Sequence, residues 1–292
     1  MGVNRLVSQY ELESYTLKGS REINEDALIV NKSGLVFGVV DGATSVTPYK
    51  DVNGNTGGAI ASNLLAKHME EMNDSSSLVE AVLQANRELR QLMVQSGIDI
   101  SDKTKLWSAA FAIVRVNQTK LEYVQAADSM VFVKYIDGTI RALSHDQVSS
   151  FDTLTIKKSL VARDLGLSSD EQFSYCLPTI RDNRKKANTL GGYSVLNGEE
   201  AFADFLEYGA INISNVERIY LVTDGLFYPK TINDSHTDFM KMINMIDQEG
   251  ILNYINTLTS LEELDPNAEV YPRLKKSDDK TGIMIDLRKA GC

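Results

Sequence analysis

Histidine and cysteine are scarce in this chain, with three and two among 292 residues. His68, His145, His236, Cys176 and Cys292 are too scattered to assemble a zinc site, which needs several nitrogen or sulfur ligands at close spacing. Two cysteines make no disulfide framework either, so a reducing cytoplasm is the expected compartment. Any metal must then be held by oxygen, which favours Mg2+ or Mn2+. Long apolar runs are also missing. The nearest candidate, Ile23 to Val40, is broken by Asn24, Glu25, Asp26, Asn31 and Lys32, so no membrane span is expected. The N-terminus lacks a basic segment followed by an apolar one, and no signal peptide is expected. A net charge of −10 with no basic domain argues against nucleic-acid partners and against anionic membrane surfaces. What remains, 43% apolar and 24% charged with no repeat or low-complexity tract, is the composition of an ordinary globular protein with ample core.

The pattern along the chain alternates strands and helices in blocks. Tyr10 to Lys18 reads as a strand. Ala27–Val30 and Leu35–Val40 read as a hairpin turning at Asn31-Lys-Ser-Gly34, and Thr44–Asn55 as a polar loop. Thr56 to Met72 has a helical apolar face at Ile60, Leu64, Leu65, Met69 and Met72. A second helix is announced by the capping-box spacing of Ser77 and Glu80, then by Leu78, Val82, Ala85, Leu89 and Leu92. Leu106–Val116, Leu121–Ala127 and Met130–Tyr135 are strands with connections too short for helical crossovers, so their sheet is antiparallel. Val148 to Ala187 is polar and helical in propensity, with Pro178 interrupting it. With Gly191-Gly192 and the following Tyr193–Leu196 it reads as a flap, at about 148–193, inserted in a single domain spanning 1–292. Glu199–Tyr208, Ser235–Ile246 and Ile251–Leu258 are expected helices. Arg218–Val222 and Gly282–Leu287 are expected strands.

One stretch organises the rest. Val36 to Val40 is a buried strand by composition, and it stops on Asp41-Gly42. A carboxylate at the end of a buried strand is rigidly held, with backbone carbonyls beside it, as a hard cation requires. Asp-Gly is also an ordinary turn, and Asp137-Gly138 between two strands needs no other explanation. What lifts Asp41 above that is company. Glu25-Asp26, Asp224-Gly225 and Asp278-Asp279 also flank apolar strands, and clustered carboxylates repel one another unless cations hold them together.

Five motifs in order then resemble the metal-dependent protein phosphatases of type 2C: Arg21-Glu-Ile-Asn-Glu25-Asp26, Phe37-Gly-Val-Val-Asp41-Gly42, Asp128-Ser129, Leu221-Val-Thr-Asp224-Gly225 and Asp278-Asp279-Lys-Thr281. They cover about residues 12–288. Asn183-Arg184 and Leu190-Gly-Gly-Tyr193 in the flap are similar to bacterial members. The resemblance implies an α+β fold, a four-layer α-β-β-α sandwich of two antiparallel sheets flanked by helices. It also implies hydrolysis of phosphoserine or phosphothreonine in proteins by a hydroxide bridging two cations, with two or three Mg2+ or Mn2+ ions per chain. Carried over by position, Asp41 bridges the cations, and Asp224 and Asp278 complete the first. Gly42, through its carbonyl, and Glu25 serve the second, and Asp128 a third. Asp26 orients the attacking water, and Arg21 grips the substrate phosphate. Asp278 stands three residues before Thr281, as the family ligand does; Asp279 is the alternative by one residue. A monomer is expected.

The sequence departs from the family at one place that matters. Many members carry a histidine directly after this Asp-Gly to protonate the leaving alkoxide, and here that position is Ala43. His145, beside Asp146, is the weak substitute; water on the metal is the expected acid. The departure keeps a non-catalytic phosphatase-like binding module in play, and the same site could also serve a phosphatase of small phosphorylated metabolites. Arg181, Arg184, Lys185 and Lys186 read first as a solvated helix face and second as a phosphopeptide contact. Trp107 reads as core. Gly57-Gly58 resembles a phosphate loop only superficially, since no Gly-Lys-Ser/Thr follows.

Overall fold

The computed structural model describes residues 2–7, 10–43 and 46–288; Cys292 and the first two positions of the loop expected from Thr44 lie outside the described residues. The strands are β1 (Gly2–Val7), β2 (Tyr10–Leu17), β3 (Asp26–Val30), β4 (Val36–Ala43), β5 (Ser108–Val116), β6 (Lys120–Ala126), β7 (Met130–Tyr135), β8 (Ile140–Ala142), β9 (Glu207–Asn212), β10 (Val216–Val222) and β11 (Lys280–Asp286). The helices are α1 (Gly57–Glu71), α2 (Leu78–Gln95), α3 (Ser149–Asp164), α4 (Ser169–Lys185), α5 (Phe202–Phe205), α6 (Phe239–Glu249) and α7 (Ile251–Leu264). One sheet runs β1-β2-β11-β10-β7-β8 and the other β3-β4-β5-β6-β9. Every strand pair in them is antiparallel.

The two sheets face each other across Leu12, Phe37, Val39, Val114, Val133, Leu221 and Ile285. Helices α1 and α2 cover the outer face of the five-stranded sheet through Leu65, Met69, Val82 and Leu89 against Val40, Phe111 and Ile113. Helices α6 and α7 cover the other outer face, with Met242, Ile246 and Tyr254 against Phe132, Tyr220 and Val222. The result is the expected four-layer α-β-β-α sandwich. Strand β5 shows why its sequence lacks alternation: all nine residues are buried, covered by helices on one face and by the second sheet on the other. Among the described residues no helix is long and apolar enough to cross a membrane.

Local signals explain most boundaries. Asn31 Oδ1 accepts from the amides of Leu35 and Val36, and Gly34 takes φ +70°, which closes the β3–β4 hairpin. The Thr56 and Ser77 side chains cap α1 and α2 by accepting from the Ala59 and Glu80 amides.

Three expectations are corrected. Pro178 does not interrupt its segment, because α4 runs through it. The helix is clamped on α3 beyond the proline, where Asn183 Nδ2 donates to the Phe151 carbonyl and to Thr155 Oγ1, both at 3.1 Å. Glu199–Tyr208 is a helix only over Phe202–Phe205. Tyr208 belongs to β9, an edge strand whose alternating burial matches its register with β6. Helix α6 starts at Phe239, not Ser235, because Asp238 supplies its cap through the Lys241 amide.

A charged network locks the outer face of the six-stranded sheet to α6. Arg218 Nε lies 3.1 Å and Arg288 Nη2 2.8 Å from Asp286 Oδ2, and Arg218, Tyr220 and Lys134 all reach Asp247. Burial pushes the Asp286 carboxyl up, but hydrogen bonds from Arg288 and Arg218 outweigh it and hold the pKa at about 2. A depressed carboxylate stabilises the fold above its unfolded pKa and ceases to do so as pH falls through the folded value. In urea unfolding, Asp286→Asn should therefore lie about 2 kcal/mol below the native chain at pH 6. That gap should close between pH 4 and pH 2; a gap independent of pH would contradict the assignment.

Candidate metal centre

The strand ends bring the acidic residues to one edge of the sandwich. Register pairs Asp26 on β3 with Asp41 on β4, and the Gly42 amide donates to the Glu25 carbonyl at 3.1 Å. From the other sheet, Val222 on β10 pairs with Gly282 on β11, so Asp224 and Asp278 emerge side by side. Thr223 ties the two sheets together. Its amide donates to the Thr281 carbonyl at 3.0 Å, and its Oγ1 donates to Asp26 Oδ2 at 3.0 Å. Asp128 arrives on the turn from β6 to β7. That turn requires Ala127 at φ +63°, held by Gln125 Nε2 and the Gln147 amide on the Ala127 carbonyl.

Glycines set the close approaches. A Cβ on Gly58 would stand 2.8 Å from both Glu25 Oε1 and the Gly42 carbonyl carbon, and one on Gly57 would stand 2.2 Å from the Trp107 ring. Gly57-Gly58 therefore lets the first turn of α1 press against Glu25, whose carboxylate also takes a hydrogen bond from Thr56 Oγ1. Arg21 Nη1 lies 3.3 Å from Glu25 Oε2, with 38% of its side chain exposed to the cleft. Asp279 is consumed structurally: its carboxylate accepts from the Gly19 and Glu25 amides, each at 2.7 Å.

The centre is short of positive charge. Burial first, then the charges of Asp26, Asp224 and Asp278, push Asp41 well above the usual carboxylate range, with Lys275 opposing. Burial and neighbouring acids raise Asp26, Asp128 and Asp224 in the same direction. Asp26 Oδ1 and Asp224 Oδ1 are buried without a partner. Lys275 Nζ is 2.6 Å from Asp278 Oδ1. Among the described residues, no three His, Cys, Asp or Glu side chains are arranged ready to hold an ion. The all-oxygen donor set and the two orphaned carboxylate oxygens nevertheless fit a hard divalent cation.

A cleft of about 1010 Å3 opens over this centre. Arg21, Asp41, Asp128, Asp224 and Asp278 line it, while Glu25, Asp26 and Gly42 lie behind its wall. Helices α3 and α4 form one side and residues 266–276 the other. Ala43 lines it, and among the described residues no histidine does. His68 pairs with Glu88 at 2.7 Å, and His145 and His236 are exposed. Of the basic cluster, Arg181, Lys185 and Lys186 are exposed, while Arg184 turns inward to Ser108 Oγ at 3.1 Å.

Three participants were not singled out from sequence: Thr56, Lys275 and Asp152. Asp152 sits on α3 facing the cleft, its pKa pushed up to about 7 by burial first and then by the charges of Asp224 and Asp146. A raised carboxylate binds more protons folded than unfolded, so stability falls as pH rises from about 4 to about 7. The thermal midpoint of the metal-free protein should accordingly be lower at pH 7.5 than at pH 5, and Asp152→Asn should flatten that decline. An unchanged slope in the variant would refute the placement.

Comparison with known proteins agrees with this fold. The family model for protein phosphatase 2C matches residues 18–264. No curated protein sequence matches the chain. A bacterial serine phosphatase superposes with a TM-score of 0.58 at 14% identity, covering 95% of this chain and 98% of that one. The serine/threonine phosphatase Stp1 from Staphylococcus aureus gives 0.56 at 14%, covering 98% and 97%. The catalytic domain of the phosphatase PstP, in complex with two manganese ions, gives 0.57 at 15%, covering 95% and 98%. At such identities the likeness carries the fold.

Proposed function

The chain belongs to the protein phosphatase 2C family, and from that premise we propose that it is a Mg2+- or Mn2+-dependent hydrolase of phosphoserine and phosphothreonine in proteins. One observation carries the reading: four carboxylates from the ends of both sheets, Asp41, Asp128, Asp224 and Asp278, line a single cleft with Asp26 behind them and Arg21 on its wall. Asp41, Asp224 and Asp278 would hold the first cation, with Asp41 shared between two. The Gly42 carbonyl and Glu25 would serve the second, and Asp128 a third. Asp278 is preferred to Asp279 because the latter is already bound by two backbone amides. Bound, such cations supply a low-pKa water as nucleophile and neutralise charge on the phosphoryl oxygens. Arg21 presents a planar guanidinium to the phosphate. Asp26, fixed by the Thr223 hydroxyl, would orient the attacking water. The helical flap at about 148–193 closes one side of the cleft as an insertion in a single domain, and a cytoplasmic setting suits a phosphoprotein substrate.

Purified protein assayed with a phosphothreonine peptide and with p-nitrophenyl phosphate should turn over both with Mn2+ and neither with EDTA. No metal-supported turnover of either would refute the enzyme reading. Turnover of the small ester alone would favour small phosphorylated substrates.

A further inference from the structure

We propose that Lys275 is a tethered cation of the carboxylate centre, so that divalent ions bind there in competition with its ammonium group. The inference rests on the metal-centre reading above. An i,i+3 lysine–aspartate pair at a surface is ordinarily worth little, and three observations set this one apart.

The first is the company the ammonium keeps. Its nitrogen is 2.6 Å from Asp278 Oδ1, and its charge also acts on Asp41, Asp224 and Asp152. Three of those are the carboxylates a first cation would use or lie beside. An ammonium at hydrogen-bond distance from one of these carboxylates brings a compact positive charge into the centre.

The second is how the backbone under it is held. Asp265 accepts from the amides of Glu269, Val270 and Tyr271 and pairs with Arg273 Nη1 at 3.0 Å. On the other side, the Ser277 carbonyl accepts from the Ser20 amide and hydroxyl, and Lys280 is buried on Glu262 and Ser277. The segment cannot carry Lys275 away as a unit.

The third is freedom at the tip. About a third of the Lys275 side chain, 32%, is exposed in the cleft. A flexible four-carbon stem can swing the ammonium off Asp278 when an ion arrives. The metal-free fold is then stabilised by a charge that metal binding must displace, which raises the ion concentration needed for loading.

The test is a calorimetric Mn2+ titration of the full chain at constant pH, with thermal midpoints of the metal-free protein at low ionic strength. Lys275→Met should bind Mn2+ about tenfold or more tightly than the native chain, by removal of a like charge at contact distance, while its metal-free midpoint falls. Lys275→Arg, which keeps the charge, should stay near native in both. Should Lys275→Met fail to fold, Lys275→Gln is read against the same outcomes. Unchanged or weaker Mn2+ binding without the lysine charge overturns the inference. Asp41→Asn separates the two failures. If it abolishes Mn2+ binding while Lys275→Met matches the native chain, the inference alone falls. If the native chain takes up no Mn2+, the metal-centre reading falls and this inference with it.

Discussion

Asp41→Asn is expected to lower Mn2+-supported hydrolysis of a phosphothreonine peptide about a thousandfold, close to 4 kcal/mol of transition-state stabilisation. The same change should raise the thermal midpoint of the metal-free protein at neutral pH. Opposite signs follow from one cause. Asp41 is buried against Asp26, Asp224 and Asp278, and each pushes its pKa up. Ionising it without a cation therefore opposes folding. An asparagine amide adds no negative charge among these acids and is a poorer ligand for a hard cation. Strain kept at a site for function has this signature. Steady-state kinetics with Mn2+ and a thermal melt in EDTA read both halves. A variant that keeps turnover within a fewfold of native, or that melts lower without metal, would show that Asp41 is an ordinary strand-end turn residue.

Gly225→Ala should destabilise the fold by about 3 kcal/mol, with loss of Mn2+ affinity alongside. A Cβ at Gly225 would stand 1.8 Å from the Asp279 carbonyl oxygen. That oxygen cannot retreat easily, because the Asp279 side chain is fixed by the Gly19 and Glu25 amides. Any relief shifts Asp278 or Asp224, and so the centre itself. Gly138 supplies the comparison within the same dipeptide. It takes φ +85° in the hairpin turn between β7 and β8, with nothing within 4 Å of its missing Cβ. Gly138→Ala should therefore cost about 1 kcal/mol from backbone conformation alone and leave Mn2+ binding untouched. Urea unfolding of both variants distinguishes the cases, and equal losses would contradict the steric argument.

The two Asp-Gly dipeptides also show how far sequence reaches. Asp41, Asp224 and Asp278 stood out because each ends or begins a clean apolar strand, and strand ends are where a sandwich gathers side chains from both sheets. The antiparallel connections and helical layers were legible for the same reason: short loops and strong period-2 or helical patterns leave few alternatives. Asp152 and Lys275 were not legible. The first lies on a polar helix whose sequence marks no inward face, and the second lies in an aperiodic polar segment. Their positions depend on α3 and on the Asp265–Arg273 loop packing against residues distant in sequence. Gly57-Gly58 looked like a failed phosphate loop; its actual contacts are Trp107, Glu25 and Gly42, which no local spacing encodes. Strand β9 was hidden for a simpler reason. Leu206 to Ile211 alternates too briefly to be told from the end of the preceding helix.

The most direct measurement is anomalous diffraction at the manganese edge from crystals of the full chain grown with Mn2+. The metal-centre reading predicts a peak among Asp41, Asp224 and Asp278, a second beside Asp41, Gly42 and Glu25, and Lys275 Nζ moved off Asp278. Saturating Mn2+ with no peak at these carboxylates, and with the Lys275–Asp278 pair intact, would contradict it.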